Sequence, residues 1–305
     1  MPAAPLDRWI RQSLRQEPPR AKSLVMTVFG DAIAPYGGAL WLGSLIALLQ
    51  PLGVSDRLVR TSVFRLVDEG WLVASRSGRR SQYRLSEQAE RRFLRAHRRV
   101  YAPAAEDWDG RWTMVAADSG GLDRARRTKL KKSLLWEGFA ELAPGLLGFP
   151  GRPVEALTDA LADSGCSGEV LIMEAADASL PASARLAQRV NTCWDLAHVR
   201  EAYRRFQRRH AALAGWLESD APSDEQAFCV RTLLIHAYRR VQLQDPQLPA
   251  VLLGDDWPGA SARQLCRALY QRVAKPAERH IRATLALESG EAPPATERLS
   301  QRFSD

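Results

Sequence analysis

Four arginines lie in a short segment of this chain that has the pattern of a β-hairpin. Residues 73–86 read VASRSGRRSQYRLS, and side chains of alternating character flank a Ser77-Gly78 turn. The arginines are Arg76, Arg79, Arg80 and Arg84. No Asp or Glu lies among them, and guanidinium groups without nearby carboxylates are suited to bind phosphate groups. The segment therefore predicts contact with a polyanion.

The basic residues of the whole chain are concentrated in the same region. Residues 1–101 contain 17 Lys and Arg against 8 Asp and Glu, whereas residues 102–305 contain 26 against 27. The net charge of +8 therefore comes from the first third of the chain. This asymmetry indicates that one domain binds a polyanion, since a generally basic protein would carry its charge throughout.

The residue types that support catalysis or metal binding form no known arrangement. The chain has no GxSxG, HExxH or Walker motif, and its five histidines form no pair at ligand spacing. Its four cysteines are 27, 36 and 37 residues apart, unlike a zinc or disulfide framework. We interpret them as reduced core residues of a cytoplasmic protein. No catalytic residue and no metal site is predicted, and the expected function is not enzymatic.

The elements around the hairpin are typical of a DNA-binding domain. Residues 20–37 and 39–50 are predicted to be two helices, and a third helix begins at Ser55 or Asp56 and ends at Gly70. Helix, turn, helix and hairpin is the order of a winged helix-turn-helix, in which the third helix enters the major groove. Double-stranded DNA is therefore the predicted polyanion.

The third helix has an apolar face and a basic face. Its apolar residues are Val59, Val63, Leu66 and Val67. The opposite face presents Arg57, Arg60, Thr61, Phe64 and Arg65. We predict that Arg57, Arg60, Thr61 and Arg65 face the groove, with Arg60 and Arg65 placed to bind guanine. In the hairpin, the predicted phosphate or minor-groove contacts are Arg76, Arg79, Arg80 and Gln82. The alternative is a basic helix that is merely solvated.

The rest of the chain predicts two further domains, so the expected fold class is α+β and multidomain. The DNA-binding domain and a connector helix occupy residues 20–101. Residues 106–178 follow the order strand, helix, two strands, helix and strand of a ferredoxin-like domain. Residues 179–287 are predicted to be helical, with helices near 184–217, 223–244 and 261–287, and residues 288–305 are expected to be a mobile tail. The longest apolar run, residues 39–49, is too short to span a membrane, and the N-terminus lacks a secretory signal.

Several segments, taken together, resemble the PaaX family of bacterial repressors of phenylacetate degradation. They are GGALWLGSLIALL, VRTSVFRLVDEGWL, GRRSQYRLS, LLWEGFAELAPGL, LLIHAYRRVQLQDPQLP and ARQLCRALYQRVA. The resemblance extends from residue 20 to about residue 285. It implies a cytoplasmic, nucleoid-associated homodimer that binds operator DNA and is released by phenylacetyl-coenzyme A, with no other cofactor. It also implies a middle domain similar in fold to Cas2 nucleases.

A coenzyme A thioester would need basic groups for its phosphates, an aromatic surface for adenine and an apolar slot. The C-terminal helices carry residues of all three types. The candidate effector contacts are Arg204, Arg208, His236, Tyr238, Arg239 and Arg240. We expect a pocket between these helices and the middle domain. The alternatives are a solvated row of arginines at i, i+4 spacing and a core histidine.

Two enzymatic alternatives remain open. Asp118 ends the first strand of the middle domain, where Cas2-like nucleases carry a metal-binding aspartate, so a metal-dependent nuclease is one alternative. A simpler role for Asp118 is to cap the helix that begins near Leu122. The other alternative is an acyl-coenzyme A-processing enzyme fused to a DNA-binding module, and the missing nucleophile motif argues against it.

Overall fold

The computed structural model of the protein describes residues 5–78, 80–101, 108–117, 121–176, 185–219 and 221–303. The chain divides into two compact units. The first unit comprises Met1–Pro103, Arg205–Gln242 and Ser261–Asp305, and the second comprises Ala104–Arg204 and Leu243–Ala260. The C-terminal helical region is therefore shared between the two units.

The helices and strands form three successive groups along the chain. The first group is α1 (Pro5–Gln16), α2 (Ala21–Val28), β1 (Ala39–Trp41), α3 (Leu42–Leu49), α4 (Asp56–Asp68), β2 (Leu72–Ser77), β3 (Arg80–Leu85) and α5 (Glu87–Tyr101). The second is β4 (Arg111–Ala116), α6 (Arg124–Trp136), β5 (Ala140–Ala143), β6 (Leu146–Pro150), α7 (Val154–Ser164) and β7 (Leu171–Ala176). The third is α8 (Arg185–Cys193), α9 (Leu196–His210), α10 (Leu213–Ser219), α11 (Asp224–Gln242) and α12 (Gly259–Ser289).

A small antiparallel sheet of order β1-β3-β2 lies in the first unit. Its strand β1 differs from the prediction, because residues 39–41 were expected to begin a helix. Gly37 and Gly38 adopt φ values of 85° and 71°, in the left-handed region that glycine tolerates best. The turn that they form allows Leu40 to pair with Tyr83 of β3, and α3 begins only at Leu42.

Helix α4 has the predicted boundaries and the predicted inner face. The Ser55 side chain accepts a hydrogen bond from the backbone N–H of Leu58 at 3.4 Å, and Gly70 follows the helix with φ 72°. The side chains of Val59, Val63 and Leu66 are buried at spacings of four and three residues. These residues therefore fix which face of α4 remains outside the core.

The second unit contains an antiparallel sheet of order β5-β6-β4-β7. Strand, helix, two strands, helix and strand follow in the predicted order from β4 to β7. On one face, Val115 and Leu147 join a core with Leu130 and Leu134 of α6. On the other, Trp112 packs in a cluster with Val190, Trp194 and Leu248. Side chains therefore pack on both faces of the sheet, whereas the edge strand β7 is largely exposed.

The C-terminal helices differ in part from the prediction. The single helix expected near 184–217 is three helices, α8, α9 and α10, whereas α11 and α12 match the predicted elements closely. Helix α11 begins with a capping box, since the backbone N–H of Gln226 donates to the Ser223 side chain at 3.1 Å and that of Ser223 donates to Gln226 at 3.0 Å. Residues 288–305, expected to be a mobile tail, contribute the buried side chains of Arg302 and Phe303 to the core.

All four cysteines are free thiols, and three of them, Cys166, Cys229 and Cys266, are buried. Their burial matches the predicted role as core residues. Burial raises the pKa of the Cys229 thiol to about 12, so this group remains protonated at neutral pH. Within the described part of the chain, no helix combines the length and the apolar character that a membrane-spanning segment needs.

Candidate nucleic-acid interface

The solvent-facing side of α4 carries the predicted DNA contacts. Arg57, Arg60, Thr61 and Arg65 are all exposed there. Two apolar residues share this surface: Phe64, which is 73% exposed, and Leu58, which is 47% exposed. Since the inner face of α4 is buried in the core, this exposed face is the one available to a partner. The core also positions the four predicted contacts relative to one another.

Arg60 forms an ion pair that the sequence analysis did not anticipate. Its Nε atom donates to Oδ1 of Asp56 at 2.6 Å, one helical turn earlier, and both side chains are more than half exposed. An exposed pair at this spacing contributes only about 0.3–0.5 kcal/mol, so Arg60 can leave it at low cost. Within the described chain, Arg57 and Arg65 form no ion pair. The i, i+4 spacing of Asp56 and Arg60 is the sequence feature that could have predicted this ion pair.

The β2–β3 hairpin follows α4 directly and places its polar residues on two faces. Arg76 lies opposite Ser81, and Ser77 lies opposite Arg80. Since side chains alternate along a strand, Arg80, Gln82 and Arg84 share one face and Arg76 lies on the other. Arg76, Arg80 and Arg84 are exposed, and Gln82 is partly buried. Arg79 lies outside the described residues.

A buried cluster of charged side chains joins the end of α2 to distant parts of the first unit. Asp31 lies in a π-helical turn, Phe29–Ile33, that continues α2. Its carboxylate accepts hydrogen bonds from Arg231 Nε at 2.8 Å, from the Tyr101 hydroxyl at 2.6 Å and from Arg302 Nη1 at 3.1 Å. We name Asp31, Tyr101, Arg231 and Arg302 the Asp31 cluster.

Electrostatics keep the Asp31 carboxylate ionised. Burial by itself raises the pKa of Asp31, but the charges of Arg231 and Arg302, together with the hydrogen bonds from Tyr101 and Arg231, hold that pKa below its usual value. Burial and the nearby Asp31 charge raise the pKa of Tyr101 well above 10, so its hydroxyl remains a donor. Arg231 also binds Glu278, which accepts a hydrogen bond from Tyr36. No local sequence pattern predicts this cluster, because its members are up to 271 residues apart.

Two of the predicted effector contacts bind the same residue of α2. Nδ1 of His236 lies 2.9 Å from Oγ1 of Thr27, and Nη1 of Arg239 donates to that oxygen at 3.0 Å. Burial, followed by the nearby charges of Arg239, Arg240 and Arg209, lowers the pKa of His236 to about 4. His236 is therefore neutral at pH 7. These two side chains take part in internal packing between α11 and α2.

The other four candidate effector residues have different surroundings. Tyr238 is buried beside the ring of Phe206, with centroids 5.3 Å apart, whereas Arg240 and Arg208 are exposed. Arg204 belongs to the second unit and lies 3.8 Å from an Asp256 carboxylate oxygen. The structure thus places His236 and Arg239 together and spreads the remaining candidates along α9 and α11.

Asp118, the candidate metal ligand of the nuclease alternative, lies outside the described residues. The cap of the following helix is Asp123, whose side chain accepts a hydrogen bond from the backbone N–H of Arg126 at 2.8 Å. Among the residues that the structure describes, no three His, Cys, Asp or Glu side chains group closely enough to hold a metal ion.

Family models match most of the chain. The model described as "PaaX-like protein" matches residues 20–89, that of the "PaaX protein central Cas2-like domain" matches residues 105–187, and that of the "PaaX-like protein C-terminal domain" matches residues 194–283. These three matches fall on the parts of the chain that contain α4 and its hairpin, the β5-β6-β4-β7 sheet, and helices α9 to α12.

A relative of known function matches nearly the full length of the chain. The chain is 39% identical over 300 residues to the transcriptional repressor PaaX of Escherichia coli strain K12, with 98% of this chain and 94% of that protein covered. Among solved structures, an uncharacterized protein of Mycobacterium tuberculosis, Rv0674, is similar with a TM-score of 0.49 and 26% identity, and the match covers 84% of this chain and 96% of that one.

Proposed function

Because the chain belongs to the PaaX family of transcriptional repressors, we propose that it represses an operon for phenylacetate catabolism and is released from its operator by phenylacetyl-coenzyme A. The family resemblance stated from the sequence is confirmed by these matches. The protein is a transcriptional repressor and not an enzyme. The middle domain is Cas2-like, but a shared fold does not transfer nuclease chemistry.

The exposed basic face of α4 beside the β2–β3 hairpin is the observation that carries the DNA-binding part of this proposal. In a winged helix-turn-helix, α4 would lie in the major groove and the hairpin would contact phosphate or the minor groove. Arg60 and Arg65 would then read guanine, and Arg76, Arg79 and Arg80 would set the salt dependence. A homodimer would present two copies of α4 to related half-sites.

The effector part of the proposal is supported by the contacts of Thr27. His236 and Arg239 of α11 both bind Thr27, and α2 packs against α4. A ligand phosphate that drew Arg239 away would therefore break a contact to the helix that supports α4. Complete release of DNA, from about 99:1 to 1:99, needs roughly 5.5 kcal/mol of difference in effector affinity between the two arrangements.

The protein would do this work in the cytoplasm, in association with the nucleoid, since an operator and an acyl-coenzyme A effector are both found there. Phenylacetyl-coenzyme A would be a regulatory ligand and not a consumed substrate. A nuclease or an acyl-coenzyme A-processing enzyme would convert its substrate to a product. A repressor would bind its operator and its effector without converting either.

Fluorescence anisotropy would test both parts of the proposal. A labelled duplex from the DNA upstream of the gene would be titrated with protein at one fixed salt concentration. Phenylacetyl-coenzyme A, free coenzyme A and phenylacetate would then be added separately. We expect nanomolar binding and release by the thioester alone. Absence of sequence-specific binding would refute the repressor mechanism, and release by free coenzyme A or by phenylacetate would refute the effector assignment.

A further inference from the structure

Phe64 is a large aromatic side chain that lies outside the hydrophobic core. It is 73% exposed on α4, and among the described residues its ring makes no aromatic contact. Leu58, on the same exposed side of the helix, is 47% exposed. A single exposed apolar residue is common on a protein surface, but two on the face proposed to enter a DNA groove call for a ligand with apolar groups of its own.

The neighbours of Phe64 specify the chemistry of that ligand. Arg60 and Thr61 lie one helical turn before Phe64, and Arg57 lies two turns before it. Asp68 lies one turn after Phe64, and Asp56 is occupied by Arg60. The surface around the ring is therefore basic on its N-terminal side. Charge complementarity favours a polyanion that also carries exposed apolar groups.

Duplex DNA offers such groups in the major groove, where each thymine presents a C5-methyl group beside its polar edge. An apolar side chain that packs on this methyl group distinguishes thymine from cytosine without a hydrogen bond. We propose that Phe64 reads thymine methyl groups in the operator and is a specificity-determining residue. This inference rests on the proposed function, since it requires that α4 enter the major groove.

Uracil substitution isolates the methyl group. A duplex selected by the wild-type protein from a random pool would be remade with single thymines replaced by uracil, which removes the C5-methyl group and leaves base pairing intact. We expect wild-type affinity to fall about fourfold at each contacted position, as the burial of one methyl-sized group implies. The Phe64→Ala variant should bind the thymine duplex less tightly and should be insensitive to uracil at those positions. Phe64→Leu should retain part of the sensitivity.

Leu287→Ala is the matched control, because Leu287 is 71% exposed and lies on α12. It should bind both duplexes as the wild type does. The inference is overturned if the wild-type protein binds thymine and uracil duplexes equally at every position, or if Phe64→Ala keeps the methyl sensitivity. A fall in the molecular mass of Phe64→Ala in solution would also overturn it, because Phe64 would then contact a second copy of the chain. If the wild-type protein selects no DNA at all, the proposed function fails together with the inference. If it selects DNA but binds the thymine and uracil duplexes equally, only the inference about Phe64 fails.

Discussion

Arg231 donates from Nε to Oδ2 of Asp31 at 2.8 Å, and the two residues are 200 positions apart in the chain. Neither side chain is accessible to solvent to more than a few per cent. The pair therefore joins α11 to the turn that follows α2 through a fully desolvated contact. Arg302 binds the same carboxylate, so Asp31 neutralises part of the charge of two buried arginines.

Asp31→Asn should destabilise the first unit severely. It removes the buried negative charge and leaves Arg231 and Arg302 incompletely compensated, which typically costs about 3–5 kcal/mol. Urea unfolding followed by circular dichroism would measure the loss. Asp56→Asn, which breaks an exposed pair, is the control and should change stability by no more than about 0.5 kcal/mol. Equal effects of the two substitutions would contradict the importance given to the Asp31 cluster.

The hairpin arginines should control the salt dependence of DNA binding. Arg76→Ala and Arg79→Ala should each weaken binding to all sequences similarly and lower the slope of log K against log salt by about 1, since each removes one phosphate contact. Anisotropy titrations at salt concentrations from about 50 to about 200 mM would measure the slope. Arg124→Ala is the control, because Arg124 is an exposed residue of α6; it should leave the slope unchanged. An unchanged slope in both hairpin variants would show that the hairpin does not contact phosphate.

The α4 arginines should control sequence preference instead. Arg60→Ala or Arg65→Ala should reduce discrimination against a mismatched base pair by about 1–3 kcal/mol, because a bidentate contact to guanine is lost. Binding to the selected duplex and to single-base variants of it would be compared at one salt concentration. If discrimination persists and affinity falls uniformly, these arginines contact phosphate and not base edges.

Acidification should destabilise the protein through His236. Its pKa is about 4 in the folded protein and 6.5 ordinarily, so the unfolded chain binds the proton more readily between these values. Stability is therefore lost as pH falls from 7 to 5, by about 2 kcal/mol for this histidine at pH 5. Urea midpoints at pH 7.5 and pH 5 would measure the loss.

The buried His210, whose pKa burial likewise lowers to about 4, adds a similar loss, so His236→Gln should remove only part of the pH dependence. His198→Gln provides a control at an exposed position. A pH dependence that is identical in His236→Gln and in the wild type would contradict the assignment.

The effector response should depend on the basic residues of α9 and α11. Arg239→Ala should shift the phenylacetyl-coenzyme A titration to higher concentration, because it removes a candidate phosphate ligand. It also removes the donor to Thr27, so DNA binding without effector should already be weaker than in the wild type. Arg204→Ala and Arg240→Ala test exposed candidates, whose replacement leaves the buried core intact. The anisotropy release assay at fixed salt provides the measurement. If Arg239→Ala and Arg204→Ala both keep the full response, the predicted effector site is wrong.

The local features of the DNA-binding region were predictable from the sequence. The boundaries of α4 follow from Ser55 and Gly70, and its buried face follows from the spacing of Val59, Val63 and Leu66. Strand β1 was not predictable in the same way, because Ala39–Trp41 is apolar enough for a helix and becomes a strand only by pairing with β3. The face on which each hairpin arginine lies likewise required the observed register.

The sequence by itself indicated the family, through the resemblance of several segments along the chain. It also determined the basic N-terminal region and the periodicity of α4, because these depend on composition and on residues within a few turns of one another. Only the tertiary structure decided that Asp31 meets Arg231 and Arg302, and that His236 and Arg239 meet Thr27. Such contacts depend on how distant helices pack, and no local pattern of residues encodes which buried charge will find which partner.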